Sequence, residues 1–522
     1  MRQQVVGWVA AVIFLAASPV WCEEAGTGRE ELQKIDEMVV TAGRSEEAKT
    51  DVSMNIEVLT AADIEQSAAQ DFSDLLADQG FMVREYPNSL MSVMVRGFRT
   101  DTHGNDLASH VLVLINGRRA GTGNIAKILL ENVERVEIIR GPGSVQYGAS
   151  AMGGVINVIT KEGGGEPAFS VEQTIGSWNY QKTLAAVSGQ ANNFDFSGTV
   201  SRSSQDDYDT ADGDEYDNTG FDSKERINLN LGWTFKPDNR VGCNYSSYKS
   251  EEVGNPNYIS QNDPDDYVEN SLESFDLVYD GRNSEGSLLW NLRYFNGKDE
   301  YETYDPATAG DVYTYFQDID QQGAQAQLTY HRDWARITAG IDWTNYEIEN
   351  TYSNNGEESS YDNPAAFVLA KASLLDDNLI VSAGGRYDDY EVEGDQGQSV
   401  DETNWSSNVG AVYKVNANFS VRANYAEAFR MPTPDELYMF NDYSAFGFGI
   451  WSGNPDLKPE SSQTYEIGMD VSGNWFSGGL TWFYTDFEDR ISYAYDEATQ
   501  MTIYNNAASV ILMGTPNMLC AQ

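Results

Sequence analysis

Residues 133–161 read Val-Glu-Arg-Val-Glu-Ile-Ile-Arg-Gly-Pro-Gly-Ser-Val-Gln-Tyr-Gly-Ala-Ser-Ala-Met-Gly-Gly-Val-Ile-Asn-Val-Ile-Thr-Lys. Two strand-like runs, Val136 to Ile139 and Val155 to Ile159, flank a turn region rich in glycine. β-Branched residues favour the pleated backbone. Gly141, Gly143, Gly148, Gly153 and Gly154 permit tight turns and close backbone approach. The stretch therefore predicts a small, densely folded β unit. A plain glycine-rich loop between two strands is the bland alternative.

The rest of the chain sets the compartment. The 522 residues carry 33 Lys+Arg against 81 Asp+Glu, a formal net charge of −48. Such acidity excludes a nucleic-acid partner, because phosphate neutralisation needs clustered Lys and Arg. It suits a surface that meets cations, or halophilic adaptation. Aromatics make up 12%, with 30 Tyr and 46 Gly, a mixture that fits a β protein with aromatic girdles. Arg2 and the apolar run Val5 to Ala17 read as the n- and h-regions of a secretory signal over residues 1–22. No lipoprotein pattern precedes Cys22, so no lipid anchor is expected there. No later segment offers 18 consecutive apolar residues, so no transmembrane helix is expected. Cys22, Cys243 and Cys520 show neither metal-ligand spacing nor a disulfide framework.

Between the signal and the first helix signals lies a polar segment, residues 23–45, holding Asp36-Glu37-Met38-Val39-Val40-Thr41. Val39, Val40 and Thr41 favour an extended backbone able to add to a partner's sheet edge. Residues 46–163 form one compact unit. Thr60 to Glu65 starts as a capped helix, and Asp71 to Ala77 is a second, with Phe72, Leu75 and Leu76 on one face. Val93-Met94-Val95-Arg96-Gly97-Phe98 is a strand, and Val111 to Arg119 a hairpin that turns on Asn116-Gly117. From about residue 164 to 506 the texture is period two. Ile227, Leu229, Leu231, Trp233 and Phe235 alternate with Asn228, Asn230, Gly232 and Thr234. About 16 such strands fit between residues 167 and 510. Short turns such as Pro237-Asp238-Asn239 alternate with long acidic loops.

Together these segments resemble the TonB-dependent outer-membrane receptors. The resemblance rests on residues 133–161, on the Arg96-Gly97-Phe98 strand and on the Asn116-Gly117 hairpin. It extends through Asn424 to Tyr438, Gly453 to Glu460 and Thr464 to Gly468, so it covers nearly the whole chain. It implies an all-β transmembrane barrel with an N-terminal α+β plug domain in the lumen, in the outer membrane of a Gram-negative cell. Asp36, Glu37, Met38, Val39, Val40 and Thr41 match the TonB box. Arg96, Gly97, Asn116, Gly117, Arg140, Gly141, Tyr147, Gly148, Gly153 and Gly154 match the plug core. The implied partners are TonB with its inner-membrane energising complex, outer-membrane lipid, and a ferric siderophore or cobalamin (vitamin B12).

The chain also departs from the family. Relatives close with about 22 strands and an aromatic final residue. Here residues 507–522 lose the alternation and read as an aberrant tail, so a truncated or frameshifted member with an incomplete barrel is expected. Three histidines, His103, His110 and His331, show no catalytic or metal pairing, and no enzyme activity or resident cofactor is expected. The missing histidine between Phe429 and Leu457 lowers haem as a ligand. Tyr443, Phe446, Phe448 and Trp451 are candidate stacking residues for a catecholate or corrin; an aromatic interface girdle is the alternative. Asp206, Asp209, Asp212, Asp214 and Asp217 are hard oxygen donors for a Ca²⁺ ion in an outer loop; a solvated acidic loop is the alternative. Ferric siderophore uptake leads, cobalamin follows, and a passive porin or a non-functional remnant are readings of another class.

Overall fold

The computed structural model describes residues 39–41, 43–86, 88–102, 105–256, 263–306, 313–351, 358–444, 449–473, 476–507, 509–514 and 517–521. The N-terminal part holds β1 (Val39–Val40), β2 (Glu47–Ala48), β3 (Asn55–Thr60), β4 (Met82–Tyr86), β5 (Leu90–Val95) and β6 (Phe98–Arg99). It continues with β7 (Val111–Ile115), β8 (Arg118–Arg119), β9 (Val133–Arg140) and β10 (Gly154–Thr160). One sheet runs in the order β3-β9-β10-β7-β8, and β4-β5-β6 form a second. Helices α1 (Ala61–Gln66) and α2 (Phe72–Asp78) start where their caps dictate. Thr60 and Asp63 exchange side-chain and backbone hydrogen bonds, and the Asp71 carboxylate accepts from the Ser73 and Asp74 amides. Phe72, Leu75 and Leu76 are fully buried with Val93, Val113, Val136 and Ile156. This apolar cluster, built mostly from the plug-like unit, is its core.

The opening glycine-rich stretch is the hinge of that unit. After β9 come a short helix α3 (Ser144–Tyr147) and β10, which returns antiparallel to β9. Gly154 shows why no side chain fits: a Cβ there would lie 2.5 Å from the Ile139 carbonyl oxygen. Asn116 and Gly117 take φ of 52° and 84°, which makes the tight β7–β8 turn possible.

The remaining chain is one large antiparallel sheet. Its strands are β11 (Ala168–Ile175), β12 (Gln181–Ala191) and β13 (Phe194–Gln205), then, past a small hairpin of β14 (Tyr208–Asp209) and β15 (Glu215–Tyr216), β16 (Phe221–Lys236), β17 (Asn239–Gly254) and β18 (Tyr267–Arg282). The sheet goes on through β19 (Leu288–Tyr304), β20 (Tyr313–Arg332), β21 (Ala335–Asn350), β22 (Ser359–Leu374), β23 (Leu379–Glu393), β24 (Ser399–Asn416) and β25 (Phe419–Arg430). A short helix α4 (Pro434–Tyr438), β26 (Phe440–Tyr443) and β27 (Gly449–Ser452) interrupt it. It ends with β28 (Glu460–Ser472) and β29 (Phe476–Glu488), an outlying hairpin β30 (Ile491–Asp496) and β31 (Met501–Asn506), and β32 (Val510–Gly514) and β33 (Asn517–Ala521).

The sheet wraps the N-terminal unit. Its polar face turns inward: Asp276, Asp299, Arg386, Asp388, Asn424 and Glu466 are buried against that unit. Its apolar face is exposed, with Leu231, Ile341, Val409 and Ile467 outward. Aromatic pairs mark this band, Phe194 stacking on Trp233 near the short turns and Tyr425 meeting Tyr465 at a tilt of 48° further along. An apolar exterior between aromatic rows is the face of a sheet that meets lipid. No helix among the described residues is long and apolar enough to cross a membrane; the strands do the crossing.

The C-terminal tail differs from its sequence reading. Its described strands, Val510–Gly514 and Asn517–Ala521, lie in the sheet. β32 and β33 both pair with β29, one after the other, and together occupy the sixteenth position, in line with the count of about 16. The alternation is geometric but not chemical. Ile511 and Met513 point outward, while Val510 and Leu512 pack on the plug's apolar cluster beside Phe98 and Phe487. Both faces are apolar, so the polar–apolar signal vanishes while the strand remains. Among the described residues no ladder joins β11 to β32 or β33, so the sheet is open along that seam.

Candidate functional site

The segment just before the first helix is held down on two sides. Val39 and Val40 pair with Ala48 and Glu47. Val40 is fully buried with Ile56, Leu112, Tyr147 and Val155. The Thr41 amide and hydroxyl both donate to Glu137 Oε2, at 2.9 and 2.8 Å, and Tyr147 Oη donates to the Thr41 carbonyl at 3.1 Å. A few residues on, Arg44 reaches the barrel wall and pairs with Asp342 at 2.6 Å, while Lys371 pairs with Glu47. Asp36, Glu37 and Met38 lie outside the described residues. The visible half of this segment is thus a short strap laid on the plug.

Of the residues matched to the plug core, Arg96, Arg140, Gly141 and Gly148 lie at ionic contacts. Arg96 and Gly97, at φ 54° and 86°, make the turn after β5. The Arg96 guanidinium meets Glu466 of the wall and stacks 4.3 Å from the Phe483 ring centroid. Gly141 faces this pair, and a Cβ there would lie 2.8 Å from Arg96 Nη1. Arg140 pairs with Glu57 and covers Phe81 at 4.1 Å. Gly148, at φ 82°, sits against Arg386, which pairs with Asp388 and Asp342. The Asn116 side chain clamps Thr160, Tyr147 holds the strap, and Gly153 and Gly154 start β10 beside Phe98 and Ile139.

Sequence reading missed the partners that lock this unit to the wall. Arg118 pairs with Asp276 at 2.6 Å and Lys127 with Asp299 at 2.6 Å, all four side chains almost wholly buried. Arg430 pairs with Glu460 at 2.7 Å and Glu436 at 2.8 Å, and His110 Nε2 lies 2.6 Å from Glu460. Single buried charges are expensive, so each needs a partner. The only sequence sign was charge at inward positions of strands, which period two marks but does not pair.

At the opposite end the loops build a small sheet in the order β26-β27-β31-β30. Trp451 on β27 lies 4.8 Å from Tyr493, which lies 6.1 Å from Tyr504. Tyr443 sits on β26, while Phe446 and Phe448 fall outside the described residues. Tyr493 and Tyr495, both exposed, were not singled out from the sequence, because they belong to a loop some 40 residues further on.

The acidic loop folds as the β14–β15 hairpin, with Asp209 opposite Glu215. In it the Asp207 carboxylate accepts from the Thr219 and Gly220 amides at 2.6 and 2.7 Å. Asp206, Asp209, Asp212, Asp214 and Asp217 are not gathered into a common oxygen cluster. Among the described residues, the carboxylates whose oxygens lie within 4.8 Å of one another are Asp263, Asp266 and Asp305. Burial and the neighbouring Asp263 and Asp305 push the Asp266 carboxyl up to about 6.

Two family models match the chain, the TonB-dependent receptor plug domain over residues 48–155 and the TonB-dependent receptor-like β-barrel over 171–514. The chain belongs to the TonB-dependent receptor family. Among curated relatives, the vitamin B12 transporter of Photobacterium profundum is 24% identical over 477 residues, covering 89% of this chain and 72% of the relative. The ferric enterobactin receptor of Pseudomonas aeruginosa is 23% identical over 562 aligned positions, covering 90% and 71%. Among solved structures, the FrpB iron transporter from Neisseria meningitidis superposes with a TM-score of 0.74 at 17% identity, over 91% of this chain and 78% of that one. The ferric yersiniabactin uptake receptor of Yersinia pestis gives 0.70 at 18%, over 90% and 76%. These likenesses carry the fold: a receptor with a plug inside an outer-membrane barrel, of a family of transporters for siderophores or vitamin B12. The strap and the short turns of this TonB-dependent receptor lie at one end of the barrel, and the aromatic loop sheet lies at the other.

Proposed function

We propose that this receptor takes up a ferric siderophore, drawing energy from TonB through the Val39–Thr41 segment, and that residues 1–22 export it. The observation that carries the reading is the strap. It is a short extended segment, pinned by edge pairing and a few hydrogen bonds, in direct covalent continuity with β3 of the plug. A partner strand that captures it by edge addition gains main-chain hydrogen bonds and pulls on the plug. The exposed aromatics Tyr493 and Tyr495, with Trp451 beside Tyr493, supply flat surfaces suited to aromatic chelators. Cobalamin is the second reading, favoured by the vitamin B12 transporters among the relatives. The acidic loop would then order around Ca²⁺.

Binding at the cell surface separates the two ligands. Chilled cells expressing the receptor are offered an iron-labelled tris-catecholate chelate or labelled cyanocobalamin. Retention of the chelate alone supports the proposal. Retention of cyanocobalamin alone replaces the ligand, and retention of neither removes both.

A further inference from the structure

A cavity of about 700 Å³ lies at the strap end of the barrel, between the plug and the wall formed by β16 to β21. That is the size of a small-molecule site. Its charge runs against the rest of the protein. The whole chain has 33 Lys+Arg against 81 Asp+Glu. The cavity is lined by five arginines, Arg44, Arg240, Arg282, Arg293 and Arg336, against three carboxylates, Glu46, Asp238 and Asp280.

Three of the arginines are spoken for. Arg44 pairs with Asp342, Arg240 with Asp195 at 2.6 Å, and Arg282 with Asp238 at 2.5 Å. Arg293 and Arg336 have no ion pair among the described residues. Arg336 donates only to Ser45 Oγ at 3.2 Å and to the Glu46 carbonyl at 2.7 Å. Arg293 donates from Nη1 to the Asn116 carbonyl at 2.6 Å, and its buried Nε has no hydrogen-bond partner. Arg293 Nε is shut off from the cavity, so what the two arginines offer a ligand is positive charge with no paired carboxylate among the described residues, which is costly to bury alone. Both side chains come from inward positions of their strands, β19 and β21, which flank β20. Arginine presents its donors as a fork that matches oxyanions.

We propose that this cavity is an exit station that holds an anionic cargo after it passes the plug. The inference rests on the siderophore reading and narrows it: the cargo is an anionic iron chelate, such as a tris-catecholate with net charge 3−, and not an electroneutral molecule. The acidic wall elsewhere repels such an anion, so Arg293 and Arg336 supply the stopping point between plug and periplasm. An exposed cavity screened by salt weakens accordingly.

The test uses the full chain in detergent and in cells. Calorimetry with a hexadentate iron(III) tris-catecholate should show a binding event that weakens in high salt. In Arg293→Gln with Arg336→Gln this event should fall by about ten-fold or more, and Arg293→Lys with Arg336→Lys, which keeps the charge but loses the fork, should fall less than the Gln variant and bind more weakly than the parent. In chilled cells the Gln variant should bind the chelate at the surface as the parent does, while energised uptake drops. That pattern also shows that the variant is folded and inserted. Persistence of the salt-sensitive event in the Gln variant overturns the proposal. So does displacement of the chelate by inorganic phosphate at equal concentration, which would make the cavity a general oxyanion site. Failure of parent cells to bind the chelate at all removes the function itself. The salt-sensitive event in detergent is read independently of that result.

Discussion

At the residue scale the plug is governed by positions where nothing larger fits and by charges that must be paired. Gly154 is the sharper case of the first. The atom in the way is the Ile139 carbonyl oxygen, part of the paired β9 backbone, which has no room to retreat. Gly154→Ala should destabilise the plug by about 1–3 kcal/mol, read as an earlier unfolding transition in urea by tryptophan-independent circular dichroism. An unchanged midpoint would mean that the sheet gives way. Asp435, on α4 outside the membrane, illustrates the second. Burial raises its carboxyl to about 6, against hydrogen bonding from Asn350 and with help from Glu436, Asp395 and Asp101. The folded state therefore holds this proton more tightly than the unfolded chain, whose carboxyl titrates near 4. Its stabilising contribution is present below about pH 4 and is lost as pH rises to about 6. Asp435→Asn should remove that slope and raise stability at neutral pH by about 1–2 kcal/mol, discounted for partial solvent contact. Melting curves of both proteins between pH 4 and 7, as flagged by the window of about two units, would show parallel slopes if Asp435 does not titrate there.

At the scale of elements, what was legible depended on whether a face met water, lipid or the plug. Strands such as β16 and β25 alternate chemically because one side meets lipid and the other a polar lumen, so their period was readable. Strand β32 was not readable, because Val510 and Leu512 face an apolar part of the plug while Ile511 faces outward. The turns at Asn116-Gly117 and Arg96-Gly97 were legible, since left-handed backbone leaves a compositional mark. The ion pairs Arg118–Asp276 and Lys127–Asp299 were not, because each joins residues more than 150 positions apart. The density of acid over residues 206–217 was visible, but not that a hairpin would spread it. The seam gives a prediction of its own. Among the described residues β11 pairs with β12 alone, whereas β19 and β20 lie deep in the sheet. Backbone amides of β11 should exchange with deuterium much faster than those of β20 in detergent. Equal protection would show that the β11 edge is covered. For the strap, Val40→Pro removes an amide donor and a buried apolar side chain at once. Uptake should be lost while surface binding of ligand stays near the parent's.

At the scale of the whole molecule the plug sits inside the lumen. Plug and wall are joined by Arg118–Asp276, Lys127–Asp299 and Arg44–Asp342 on β18, β19 and β21, and by Arg96–Glu466 on β28. Removing one partner of such a buried pair costs several kcal/mol, about 3–5 by precedent, so the plug does not leave by chance. A passive pore has no use for this arrangement. In planar bilayers the receptor should therefore show no steady porin-like conductance; large, stable channel openings by the intact chain would favour the porin reading. The central claim is that passage is driven, and it is tested most directly by uptake of an iron-labelled tris-catecholate in cells that have or lack TonB. The account predicts accumulation by the parent only when TonB is present, and none by Val40→Pro in either background although both proteins bind the chelate in the cold. Equal accumulation with and without TonB would contradict it.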